Sequence, residues 1–297
     1  MGVYEEISAN KRKSYFLITL FVILIIMIGY ALGAVWGLPY FGLGIALVFS
    51  IIYTIIIFYS GDKAILALSS AKPVERKDYP HLYNAVEGVS IAAGIPMPKI
   101  YMINDSAINA FATGRDPAHA SITVTKGAVE RLSRTELEGV VAHETSHIKN
   151  YDIRLMLVTV MLVSIIVLLS DFMLRSFFWG GGRRESKGGN IQIILLIVGL
   201  VLAVLAPIIA HLVRLAISRK REYLADADGA LLTRYPPGLA NALKKIRDDK
   251  EPLVEAANRA TANLYIANPL RKFGEKASRL WSTHPDINSR IRKLENM

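Results

Sequence analysis

No charged residue occurs between Lys13 and Asp62, a run of 48 positions. One bilayer crossing takes about 20 apolar residues, so the run is long enough for two helices and the turn between them. Gly37-Leu38-Pro39 supplies the break, which gives expected spans over residues 15–36 and 40–59. A cleavable signal peptide has a shorter apolar core and a small-residue cleavage site, so this opening is expected to stay as a permanent anchor. Two more apolar runs, residues 155–174 and 191–217, flank a Gly-rich basic loop, Trp179-Gly180-Gly181-Gly182-Arg183-Arg184. The expectation is a mainly α integral membrane protein with four transmembrane helices in two hairpins. At 52% hydrophobic the chain is too apolar for an ordinary soluble domain.

Lys11, Arg12 and Lys13 ahead of the first span place the N-terminus in the cytoplasm by the positive-inside tendency. Two crossings then return residues 62–154 to the cytoplasm, and two more return residues 218–297. Arg175, Arg183, Arg184 and Lys187 run against this tendency, which leaves a shallow or partly inserted second hairpin open. The net charge of +10 fits Lys/Arg facing anionic lipid, and no nucleic-acid module is evident, so the bilayer is the expected partner and nucleic acid is not. Gly29, Gly33 and Gly37 form two G-x-x-x-G steps that allow close helix approach. Asp171, His211 and Arg214 lie near span ends, where snorkelling suffices to explain them.

The expected organisation is a hairpin at 1–61, a polar part at 62–154, a second hairpin at 155–217 and a second polar part at 218–297. Pro80–Ala93 reads as a helix stopped by Gly94, and Lys99–Ile103 and Ala120–Thr125 read as strands. Between the strands lies Asn109-Ala-Phe-Ala-Thr-Gly114. The small side chains at Ala110 and Ala112, flanking Phe111, would let an extended peptide pair with this segment as an added strand; a tightly packed turn reads equally well. Ser133-Arg-Thr-Glu136 is a capping box that starts a helix. Pro236-Pro237-Gly238 opens another, and Ser282 to Arg290 reads as a loop leading into a short basic helix.

The helix begun at Ser133 carries His143-Glu-Thr-Ser-His147. Two imidazoles four residues apart share one helix face and can hold one metal, while Glu144 is offset toward the open coordination position. A solvated His pair is the bland alternative. Charges on both sides of the motif set it at the membrane surface rather than inside the bilayer. With no cysteine in the chain, a third ligand must come from His or a carboxylate. A third His six residues after His147 is absent, since Ile153 stands there. Glu222 and Asp226, one turn apart, are the best candidates, Glu222 as ligand and Asp226 as acceptor for a ligand imidazole. Spacing alone reads them equally as a solvated acidic face.

His143-Glu-Thr-Ser-His147 followed by Glu222-x-x-x-Asp226 after an apolar hairpin resembles the HtpX-type membrane metalloproteases, relatives of the zinc CAAX prenyl proteases. The resemblance covers nearly the whole chain, including Asn109 to Gly114, Asn150 and Asp152, and His284-Pro285. It implies a cytosolic α+β gluzincin-like protease domain holding one Zn2+ per chain on His143, His147 and Glu222, with Glu144 as general base. It also implies that His284 and Arg290 hold the peptide or its oxyanion. The implied activity is zinc endopeptidase cleavage of unfolded or damaged proteins, membrane proteins above all, in quality control at the cell membrane, with the active site facing the cytoplasm. Thr145 stands where the family usually has an aliphatic residue and Asp286 where a second Pro is common. Four spans rather than seven favour the HtpX-like branch. Two competing readings are a prenyl-peptide protease and a non-catalytic membrane scaffold.

Overall fold

The computed structural model describes residues 3–35, 37–179, 197, 219–249, 251, 264–266 and 285–297. His284, His211, Arg214 and, apart from Ile197, the expected span at 191–217 lie outside the described residues. The helices are α1 (Val3–Val35), α2 (Pro39–Leu68), α3 (Pro80–Ala93), α4 (Lys126–Arg131), α5 (Arg134–Lys149), α6 (Asp152–Trp179), α7 (Arg219–Thr233), α8 (Pro236–Asp248) and α9 (Ile287–Glu295). The strands are β1 (Lys72–Pro73), β2 (Lys99–Ile103), β3 (Ala110–Gly114) and β4 (Ala120–Thr125). The chain forms two units, each drawn from separated stretches. One takes Met1–Lys11, Gly61–Leu157 and Ile217–Met297, the other Arg12–Ser60 and Val158–Ala216.

Three helical stretches among the described residues are long and apolar enough to cross a membrane: Ile7–Ala34, Pro39–Leu68 and Asp152–Asp171. The first two helices continue past the uncharged run, because charged residues at a helix end remain solvated while the backbone keeps its hydrogen bonds. In the second unit Phe21 and Ile25 of α1, Ala46 of α2, and Val158 and Leu162 of α6 form a small apolar core. Tyr40, Phe41, Ile45, Val48, Ile52 and Ile55 of α2 face outward, which suits hydrocarbon and not water. A Cβ at Gly29 would lie 2.7 Å from the Gly42 carbonyl oxygen, so this glycine serves the packing of α1 on α2 within the chain. Gly37, at φ 73°, makes the turn instead. Asp171 accepts a hydrogen bond from Arg175 one turn on, an exposed pair within α6.

The first unit is built on a sheet of order β1-β2-β4-β3, with β2 and β4 parallel and β3 antiparallel to β4 at the edge. Ala110 and Ala112 of β3 and Ile122 and Val124 of β4 share one face. That face packs with Val86 of α3, Val140 and Val141 of α5, Leu243 of α8 and Ile291 of α9. Ser133 and Glu136 make the reciprocal capping box that starts α5, and Lys245 adds a salt bridge to Glu136 at 2.7 Å. One boundary differs from expectation. The terminal helix begins at Ile287, ahead of Arg290, because the Asp286 carboxylate accepts the Ser289 N–H and caps it. This cap puts Arg290 on α9.

Candidate metal centre

α5 is buried on nearly every side although few of its residues are apolar. His143, Glu144 and His147 are therefore inside the protein, and buried groups of this kind persist only when paired or metal-bound. α7 packs on α5 where Gly229 leaves room; a Cβ there would lie 3.0 Å from the His143 backbone nitrogen. This close approach brings Glu222 and Asp226, both buried, to the two imidazoles.

His143 Nε2 and His147 Nε2 are 3.2 Å apart. Glu222 carboxylate oxygens lie 3.8 Å from the first and 3.6 Å from the second. Tetrahedral zinc with bonds of 2.0–2.1 Å separates its ligand atoms by roughly 3.3–3.4 Å, so the three donors fit one ion. The outer nitrogens decide the tautomers. His143 Nδ1 is 3.0 Å from Asp226 and His147 Nδ1 is 2.9 Å from Asp152. Each carboxylate holds its imidazole with Nδ1 as donor, which leaves both Nε2 lone pairs aimed at the same spot. Two lone pairs and a carboxylate converging in a buried place call for a shared cation.

The electrostatics divide the two imidazoles. Burial is the chief influence pulling His143 down to about 4. Burial also pulls on His147, but the hydrogen bond to Asp152 and the charges of Glu222 and Asp152 outweigh it and raise it to about 9, so a cation at this place would take its Nε2 lone pair by displacing a proton. Burial pushes the Glu144 carboxyl up to about 7, against the charge of His147. Asp226 is held down at about 2 despite its burial, chiefly by Arg290 and His143. Arg290, itself buried, donates through Nε and Nη2 to both Asp226 oxygens at 2.9 and 2.7 Å and through Nη1 to the Ile266 carbonyl at 3.0 Å. Its Nη2 is 3.4 Å from both ring nitrogens of His143, so the guanidinium sits over the ring face.

β3 passes beside Glu144. The Ala112 backbone N–H is near enough to Glu144 to oppose the rise of its carboxyl, while the Ala110 carbonyl accepts the Ile266 N–H at 2.9 Å and the Phe111 ring meets Tyr265 edge-on. Asn109 turns inward, its backbone carbonyl accepting the Thr125 N–H. The structure thus brings together His143, Glu144, His147, Glu222, Asp226, Arg290 and the β3 edge at Ala110 and Ala112. Asp152 carries a role that spacing did not reveal, since five residues after His147 it falls off the shared helix face. Tyr151, at φ 60°, breaks the helix and swings Asp152 back. The part taken by Ile266 left no local signal.

Residues 77–297 match the model of peptidase family M48. The chain belongs to peptidase family M48. It is 47% identical over 294 residues to a protease HtpX homolog of Dictyoglomus turgidum, a match that covers 99% of this chain and 94% of that protein. A protease HtpX homolog of Listeria monocytogenes serotype 4b is 45% identical over 305 residues, covering 99% of this chain and all of its own length. The crystal structure of S. mikatae Ste24p shares the fold, with a TM-score of 0.55 and 21% identity over 98% of this chain and 67% of that one. This M48 chain is a membrane-bound metalloprotease.

Proposed function

We propose that this protease is a zinc endopeptidase that cuts extended, unfolded segments of damaged membrane proteins at the cytoplasmic face of the cell membrane, in protein quality control. The observation that carries the metal assignment is the convergence of two Nε2 atoms and Glu222, with each Nδ1 held by its own carboxylate. His143, His147 and Glu222 would hold a zinc ion, which when bound would supply a Lewis acid for the scissile carbonyl and the attacking water, and Asp226 and Asp152 orient the two imidazoles. Glu144 takes the water's proton and passes it to the leaving amine, a role its raised carboxyl suits. Arg290 keeps Asp226 against His143 and adds positive charge 3.7 Å from Glu222. Substrate backbone pairs along the β3 edge from Ala112 onward, since Ile266 takes the Ala110 carbonyl. Backbone pairing makes cleavage tolerant of sequence and restricts it to unfolded segments.

The four-span reading, with hairpins at 1–61 and 155–217 and protease parts at 62–154 and 218–297 in the cytosol, belongs to the same proposal. Its basis is the apolar runs together with Lys11 to Lys13. The deciding experiment is Glu144→Ala in detergent-purified, zinc-loaded protein. It should keep its zinc and lose casein cleavage by about 10²- to 10⁴-fold. Cleavage at the wild-type rate would overturn the protease chemistry assigned to this site.

A further inference from the structure

The first eleven residues belong to the catalytic unit, and Asn10, on α1, is fully buried there. Its Nδ2 donates to the Asn150 carbonyl at 2.9 Å and to Asp152 Oδ1 at 2.7 Å, and its Oδ1 accepts from Arg221 Nη1 at 2.7 Å. Arg221 Nη1 also donates to Asp152 Oδ1, at 2.8 Å. The amide has one workable orientation. Flipped, its oxygen would face two acceptors and its NH2 would face a guanidinium.

These contacts fall on the link between α5 and α6. Asn150 and Tyr151 join α5 to α6, and Tyr151 holds a left-handed backbone that costs a non-glycine residue about 1–3 kcal/mol. Only this bend returns Asp152 to His147. Asn10 fastens the link on one side, and the Lys11 ammonium lies 4.2 Å from the centre of the Tyr151 ring on the other. With Oδ1 held by two donors, the Asp152 carboxylate cannot rotate, and Oδ2 stays on His147 Nδ1.

We infer that Asn10 is a positioning residue of the metal site: the start of the first membrane helix locks Asp152, and through it His147, in the geometry that binds the ion. The inference rests on the zinc site proposed above. The segment that precedes the apolar run thereby holds the partner of a metal ligand about 140 residues away in sequence.

Zinc dissociation constants of the full chain in detergent, measured by chelator competition, test this together with the visible spectrum of the Co2+-substituted protein. Asn10→Ala should weaken zinc binding about 10- to 100-fold and change the Co2+ bands. Asn10→Asp preserves volume and the acceptor for Arg221 but removes both donors, so it should weaken binding similarly. In an Asp152→Asn background, Asn10→Ala should add less than about a twofold loss, since both changes break the same chain of contacts. Ser90→Ala, a buried hydroxyl on α3 bonded only locally, controls for general loosening and should leave zinc affinity unchanged. Wild-type affinity in Asn10→Asp, an equal loss in Ser90→Ala, or full additivity with Asp152→Asn would each overturn the inference. His147→Ala separates this from the parent reading. If it retains wild-type zinc affinity the metal site itself is wrong, whereas its loss beside an unaffected Asn10→Ala rejects only the part assigned to Asn10.

Discussion

Thr145 sits in the middle of the motif, fully buried, and its hydroxyl has no hydrogen-bond partner among the described residues. An unpaired buried hydroxyl costs about 1–3 kcal/mol of desolvation. Thr145→Val, nearly isosteric and without the hydroxyl, should raise stability by about 1 kcal/mol, read as a higher thermal midpoint. A lower midpoint would show that the hydroxyl is satisfied in solution. Glu144 gives a prediction with a pH sign. Burial raises its carboxyl from 4.5 to about 7, so its contribution to stability is complete below 4.5 and is lost as pH rises through 7. In chelator-treated protein, Glu144→Gln mimics the protonated group, so its stability advantage over wild type should grow from pH 5 to pH 8. An advantage independent of pH would place Glu144 in water.

At the scale of elements, α5 and α7 make the site, and Gly229 sets their distance. Gly229→Ala gains about 1 kcal/mol of helix propensity but must push a methyl against the His143 backbone, which cannot yield without moving α5. The expected result is a net loss of about 1 kcal/mol in stability with weakened zinc binding, measured by thermal unfolding and chelator competition. Unchanged zinc affinity would mean that the two helices tolerate a wider gap. The elements legible in the sequence were those with local punctuation. Pro80 and Gly94 bound α3, Ser133 and Glu136 start α5, and Pro236 with Pro237 opens α8. The start of α9 was missed because Asp286 follows His284-Pro285 and reads as loop until its carboxylate is seen on the Ser289 N–H.

At the scale of the whole molecule, the proposed cytosolic orientation has a direct test, because the chain lacks cysteine. Glu130→Cys places a single thiol on an exposed position of α4. A membrane-impermeant maleimide should label it only after permeabilisation, and labelling in intact cells would reverse the topology. By itself the sequence determined that the chain enters a bilayer, that a charged segment bearing H-E-x-x-H follows the first hairpin, and that cysteine thiolate is excluded as a metal ligand. Those conclusions depend on run length, spacing and composition, which act locally along the chain. Only the tertiary structure decided which carboxylates serve which imidazole, that Ile266 covers part of the β3 edge, and that Asn10 reaches Asp152. Such contacts join residues far apart in sequence, and their partners are selected by the packing of helices around one buried charge cluster, where buried charges must be paired because water is excluded.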